Sequence, residues 1–199
     1  MTVVRRIGLL APLAAVSLAG CGLNSVPTAE EKVTAAFGNL QADYQRRADL
    51  IPNLVETVKG YAAQERTVLT QVTEARAKAT SIQINAADLE DPAKVQAYAN
   101  AQQQLGGSIG RLLASFEAYP DLKSNQNFLA LQDQLEGTEN RINTARQDYN
   151  EAVRAYNTTI RTFPAVIGAR VIYGSQPMQP FQAQEAAQQA PTVNFGNGH

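Results

Sequence analysis

Tryptophan is absent from the 199 residues, histidine and cysteine occur once each, and methionine twice. Each shortage excludes a chemistry. The sole histidine, His199, is the last residue, where a chain is expected to be poorly ordered rather than to supply a base. Without a second histidine or a spare thiol, no Ser-His-Asp or Cys/His nucleophilic arrangement can be assembled. Zinc sites built on Cys and His fail by the same count, as do the Glu-x-x-His pairs of di-iron bundles. A dominant charge is lacking too. Lysine and arginine total 17 against 18 acidic residues, with no basic stripe, so no nucleic-acid footprint is expected. Long apolar runs are also scarce: the single run, "IGLLAPLAAVSLA", has about 13 residues, short of the ~20 needed to span a bilayer.

What remains is a chain with 44% hydrophobic and 18% charged residues, enough to build one core, and rich in Ala, Gln, Leu and Asn. That balance favours helices over sheets.

The N-terminus has the form of an export signal. Arg5 and Arg6 precede the short apolar run, which passes into Leu18, Ala19, Gly20 and Cys21. This reads as a lipoprotein signal over residues 1–20, whose small residues admit the peptidase and whose Cys21 thiol receives diacylglycerol as a thioether. An uncleaved membrane anchor is the alternative, and the run is short for it. The only cysteine is thus the one lipidation would consume, which spares an exported chain a stray thiol. Loss of Arg5 and Arg6 leaves a mature net charge of about −3, too weakly acidic to draw the chain electrostatically to anionic lipid, so attachment rests on the acyl chains. Gly22 is not the aspartate that retains many Gram-negative lipoproteins at the inner membrane. The expected location is extracytoplasmic, at the cell membrane or the inner face of an outer membrane.

After a tether over 21–28 the pattern becomes helical. Thr28 with Glu31 resembles a capping box, and Val33, Phe37, Leu40, Tyr44, Ala48, Ile51, Leu54, Val58 and Tyr61 recur at steps of three and four. The stripe resumes at Val68, Val72, Ala75 and Ala79, with Glu65 where an apolar residue is due. Pro52 interrupts this run. A helix from 29 to 79 would be ~75 Å long, so a bend or break is expected at Pro52, with Asp49 capping the segment that follows. A second stripe follows Asp91 as cap and Pro92 as first helical residue: Val95, Tyr98, Gln102, Leu105, Ile109, Leu112, Phe116 and Tyr119, stopping near Pro120. The third begins with Ser124 as cap and runs from Phe128 through Leu135, Ile142, Tyr149 and Tyr156 to Phe163, where Pro164 ends it. Short connections place these helices antiparallel. The expected fold is all-α: an antiparallel up-and-down bundle of three long helices, the first bent or broken near Pro52, plus a short fourth.

"QRRADLIPNLVETVKGYAAQERTVLTQVTEARAKA" and, downstream, "LLASFEAYPDLKSNQNFLALQDQLEGTENRINTARQDYNEAVRAYNTTIRTFP" resemble the LemA family of bacterial membrane-associated proteins, over roughly residues 30 to 173. The resemblance implies an up-and-down bundle usually described with four helices, the last being short and within "FPAVIGARVIYG". It implies no activity and no catalytic residues. Many relatives carry an N-terminal transmembrane segment where this chain has its lipobox at Leu18 to Cys21.

Other candidate sites have plain structural alternatives. Asp133, Glu136 and Glu139 lie at helical spacing and could hold a hard cation; a solvated face beside Arg141 and Arg146 accounts for them as well. "GGSIG", with Gly106, Gly107 and Gly110, lacks the strand and the Lys-Ser/Thr of a phosphate loop and suits close helix packing. Glu65 and Gln102 are either register-setting polar contacts or the wet edge of a seam. Arg46, Arg47, Asp49 and Pro52 form the expected interaction hot spot, charged residues gathered at a bend; helix capping with solvated arginines is the alternative.

From Gly174 to the end there are six Gln, three Pro and one charge, Glu185, a low-complexity composition. The resemblance adds a family-like Pro-x-Val-x-Phe element at Pro191, Val193 and Phe195, so Phe181 and Phe195 are expected to touch the bundle. The organisation expected is a signal over 1–20, a tether over 21–28, a bundle over 29–173 and a tail over 174–199. The function expected is non-catalytic: a lipid-anchored scaffold or interaction surface for an unidentified envelope protein, with no cofactor, no metal and no nucleic acid. The alternatives are a small-molecule or lipid-binding module, which needs a cavity where the seams predict a filled core, and a carboxylate-based, metal-assisted enzyme.

Overall fold

A computed structural model describes residues 24–60 and 65–182, and every described residue in regular structure is helical. The signal, Cys21, Gly22, Tyr61, Glu185, Pro191, Val193, Phe195 and His199 lie outside these residues.

The main helices are α1 (Ser25–Lys59), α2 (Arg66–Ser81), α3 (Pro92–Ser115), the single turn α4 (Pro120–Lys123), α5 (Gln126–Thr159) and the short α6 (Ala165–Gly168), which passes into a π-turn over Ala169–Tyr173. An all-α bundle is therefore present, with one change of architecture. Pro52 does not break α1, which runs unbroken for 35 residues, about 52 Å. Helix α2 packs back along the second half of α1. The fourth helix of the bundle is α2, while the segment after Pro164 caps one end.

Pro52 is tolerated because its defect is repaired from outside. A proline at this position gives no N–H to the carbonyl of Ala48, four residues back. Arg76 Nε of α2 donates to that oxygen at 2.7 Å. The missing hydrogen bond of one helix thereby becomes the tie to the next. Asp49 is not a cap; it accepts from Gln45 Nε2 at 2.7 Å within α1.

Caps elsewhere follow local chemistry. Asp91 accepts from the amides of Ala93 and Lys94 with Pro92 in the first turn, as expected. Thr28 and Ser124 do not cap. Helix α1 starts earlier, and Thr28 Oγ1 donates back to the Asn24 carbonyl. For α5 the cap is Asn125, which accepts from the amides of Asn127 and Phe128. Asn beside Ser offers two candidate acceptors, and the one in extended backbone takes the role. Between α2 and α3, Asn85 and Asp88 form a reciprocal capping box, with Lys94 paired to Asp88.

Helix α1 packs antiparallel on α5 along its whole length, and α2 packs antiparallel on α3. The 16 residues of α2 cover only the half of α1 beyond Ala48. Beside the other half, its place is taken by Ile84 and Leu89 of the α2–α3 link and by Met178 and Phe181. The third stripe is buried from Phe128 to Ile160, but Phe163 is 77% exposed and lies past the end of α5. Phe181 is buried, as expected, against Tyr98 and Tyr149.

That burial is reached by a strap. Gly174, at φ 60, takes the left-handed conformation that reverses the chain after the π-turn. Residues 175–182 then run back along α5. Asn157 donates to the Met178 carbonyl at 2.8 Å and accepts its amide at 2.9 Å; Asn150 does the same for Phe181 at 2.9 and 2.8 Å. Tyr149 Oη donates to the Gln179 carbonyl, and the Gln179 amide bonds the Leu89 carbonyl. Seven residues of helix rise about 10.5 Å and three of extended chain about 10 Å, so the two ladders stay in step.

Candidate functional site

The apolar core is two clusters rather than one. The first holds Val26 to Tyr44 with Ile142 to Phe181, and the second holds Ala48 to Val72 with Leu105 to Leu135. Between them lies a polar layer whose centre is Arg47.

Arg47 is 3% exposed. Its Nη2 donates to the Gln102 carbonyl at 2.7 Å and to Gln102 Oε1 at 3.2 Å, and Nη1 donates to Glu139 at 2.9 Å. The guanidinium stands 5.2 Å from the Tyr44 ring centre, within cation–π range. Its Nε–H is buried without an acceptor. Gln102 in turn reaches the Ala79 carbonyl with its amide at 3.3 Å, linking α3 to α2. Access to the Gln102 carbonyl depends on Gly106, because a Cβ there would come within 3.1 Å of Arg47 Nη1. The glycine therefore admits a side chain rather than a neighbouring backbone. Gly110 has open space around it, and Gly107 meets only Arg111 of its own helix.

Above this layer, α1, α3, α5 and the strap enclose an open groove of about 700 Å³. Its walls include Arg47, Gln103, Glu139, Asn143, Arg146 and Phe181. Asn143 Oδ1 accepts from Arg146 at 3.0 Å. Asn143 lies seven residues before Asn150, as Asn150 lies before Asn157, so it is the next position of the ladder that holds the strap. The phenols around the layer are held neutral: burial pushes Tyr44 and Tyr98 up, with Arg47 opposing it in both.

The expected hot spot is divided by the fold. Arg47 points inward and is consumed by the core layer, whereas Arg46, Asp49 and Pro52 are exposed on α1. Gln102 is the polar contact between helices that its seam position suggests. Glu65 leaves the seam: it precedes α2, and its carboxylate accepts from Tyr119 Oη at 3.3 Å. Asp133, Glu136 and Glu139 do not converge, since Glu136 accepts from Gln132 and Glu139 from Arg47. Among the described residues no three His, Cys, Asp or Glu are grouped to hold a metal, and no helix is long and apolar enough to cross a membrane.

Two parts of this arrangement are not evident in the sequence. Pro52 implies an orphaned carbonyl at Ala48 but does not say that Arg76 answers it. The Asn143, Asn150 and Asn157 spacing is visible beside the apolar stripe, yet what it binds depends on where the strap runs.

The chain is similar to two magnetosome proteins and to a protein named LemA. It is 29% identical over 157 residues to Magnetosome protein MamQ 2 of Paramagnetospirillum magneticum, covering 71% of this chain and 58% of that one. It is 26% identical over 157 residues to Magnetosome protein MamQ of Magnetospirillum gryphiswaldense, covering 71% and 58%. Protein LemA of Metamycoplasma hominis is 25% identical over 140 residues, covering 70% of this chain and 60% of its own. The match thus spans less than two thirds of each relative's length. The LemA family model matches residues 36–195, and the chain belongs to the LemA family.

Proposed function

We propose that the protein is a non-catalytic bundle, lipid-anchored through Cys21 on the extracytoplasmic side of an envelope membrane, that presents its polar groove to an extended segment of another envelope protein. The observation that carries this reading is the asparagine ladder of α5. Two rungs, Asn157 and Asn150, already grip an extended backbone through paired amide bonds, and the third, Asn143, faces the groove beside Gln103 and Arg146. Amide side chains that bond main-chain groups suit a peptide whose sequence matters little at those points. Arg47 and Glu139 are occupied with one another, so the groove offers hydrogen bonds and shape rather than a free acid or base.

The test is crosslinking in intact cells, comparing the native chain with Cys21→Ser, Asn143→Leu and a chain ending at Gln182. A partner recovered by the native chain, reduced by Asn143→Leu and lost with Cys21→Ser supports both the groove and the anchor. Capture that strengthens on truncation at Gln182 identifies the chain's own tail as a competitor for the groove. If a membrane-bound native chain and its Asn143→Leu variant capture the same proteins equally, the groove has no such role.

A further inference from the structure

Six large apolar side chains stand exposed among the described residues, and five of them fall between Phe163 and Tyr173. Phe163 is 77% exposed, Ile167 57%, Val171 79%, Ile172 60% and Tyr173 44%. The pattern is inverted relative to an ordinary surface helix. In α6 and the π-turn the buried residues are the small ones, Ala165, Gly168 and Ala169, while the large ones face outward. A water-facing surface gains nothing from this arrangement, and large apolar side chains gathered in the open within one short segment mark a contact with something apolar.

Its position says what that is. Helix α6 touches α1 and follows the end of α5, which runs antiparallel to α1, so the exposed side chains sit at the end of the bundle where α1 begins. Asn24, which precedes α1, follows Cys21 by three residues, a reach of about 10 Å at most. The segment from Ala152 to Gln182 contains Arg154, Arg161 and Arg170 and no acidic residue, and Arg161 and Arg170 are exposed. Long cationic side chains beside an apolar face can lie across lipid headgroups while the face enters the acyl boundary.

We propose that Phe163, Ile167, Val171 and Ile172, with Tyr173, insert into the interfacial region of the lipid bilayer and form a second membrane contact beside the lipidated cysteine. One acyl attachment leaves a protein free to tumble on its tether, whereas two adjacent contacts fix its axis. The bundle then stands with the Lys59 end of α1 facing away from the membrane. The inference rests on the anchoring at Cys21 for its geometry and on the apolar patch for its chemistry.

Because the chain has no tryptophan, single substitutions report cleanly. Full-length Ile172→Trp and Leu129→Trp are purified from membranes and reconstituted into phosphatidylcholine vesicles containing a minor fraction of phosphatidylglycerol, with and without brominated acyl chains. Leu129, the sixth exposed apolar residue, lies about 45 Å away along α5 and serves as control. Unchanged urea midpoints establish that both variants fold. Emission from position 172 should shift to the blue and be quenched roughly threefold, the quencher lying within the ~5–10 Å depth of an interfacial face. Position 129 should report water. A chain that sediments with vesicles but is unquenched at 172 overturns the insertion and leaves the anchor standing; failure to sediment overturns both. A blue shift without quenching, pointing to a second copy or to the chain's own remaining residues as the cover, also overturns it.

Discussion

Arg47 illustrates how a residue that looks like part of a surface in the sequence is decided by its neighbours. Replacing it with alanine removes a large buried side chain and strands the Gln102 acceptors, and should lower unfolding stability by about 2–4 kcal/mol in urea denaturation. Arg47→Met refills the volume but leaves Gln102 unanswered. Combined with Gln102→Leu, it should recover much of the loss, because an apolar replacement of both partners is often close to neutral. A double variant as unstable as the sum of the singles would contradict this account of the layer. Glu139→Gln should change stability by under about 1 kcal/mol, since that carboxylate is half exposed. Gly106 and Gly110 offer a paired comparison within α3. Alanine at Gly110 should stabilise by about 0.5–1 kcal/mol through helix propensity, whereas at Gly106 the gain should vanish, because Arg47 is held by three acceptors and cannot yield to the new Cβ.

Pro52 and Arg76 act between elements. In the native background Arg76→Met leaves the Ala48 carbonyl without its donor and should cost about 1–3 kcal/mol. In a Pro52→Ala background the new amide supplies that donor, so the same Arg76 change should cost distinctly less. Equal costs in both backgrounds would mean that the arginine does not substitute for the missing amide. The strap is a second element held by side chains rather than by a ladder of backbone bonds. Cleavage between Gly174 and Gln182 should be slow in the native chain and about tenfold faster for each ~1.4 kcal/mol that Asn150→Ala or Asn157→Ala removes from strap docking. Limited proteolysis followed by mass analysis reads this directly. Both elements are only half legible in the sequence. A mid-helix proline announces a problem, and a break is its commonest solution, but a donor 28 positions later along the chain is a contact that no local pattern encodes.

At the scale of the whole molecule, the tyrosines set an alkaline limit. Burial raises Tyr44, Tyr98, Tyr149 and Tyr156 above the ordinary phenol value of 10.0. A raised folded-state value means that the native state keeps its protons longer, so the stabilisation is complete below pH 10 and is lost as pH rises beyond it. Urea midpoints measured upward from pH 9 should hold steady to about pH 10 and then fall, with tyrosinate absorbance from these side chains appearing together with unfolding. The sequence by itself determined the helical class, the three apolar stripes and the Asp91–Pro92 start, because helix periodicity and capping are read within a few residues. Tertiary structure decided the rest. It carried α1 past Pro52 to Lys59 without the expected break, since a neighbouring arginine answers the carbonyl that the proline orphans. It turned Arg47 inward, because Gly106 opened a carbonyl to it, and it left Phe163, Ile167, Val171, Ile172 and Tyr173 on the outside, because the small residues between them, Ala165, Gly168 and Ala169, are the ones that pack against the bundle's end.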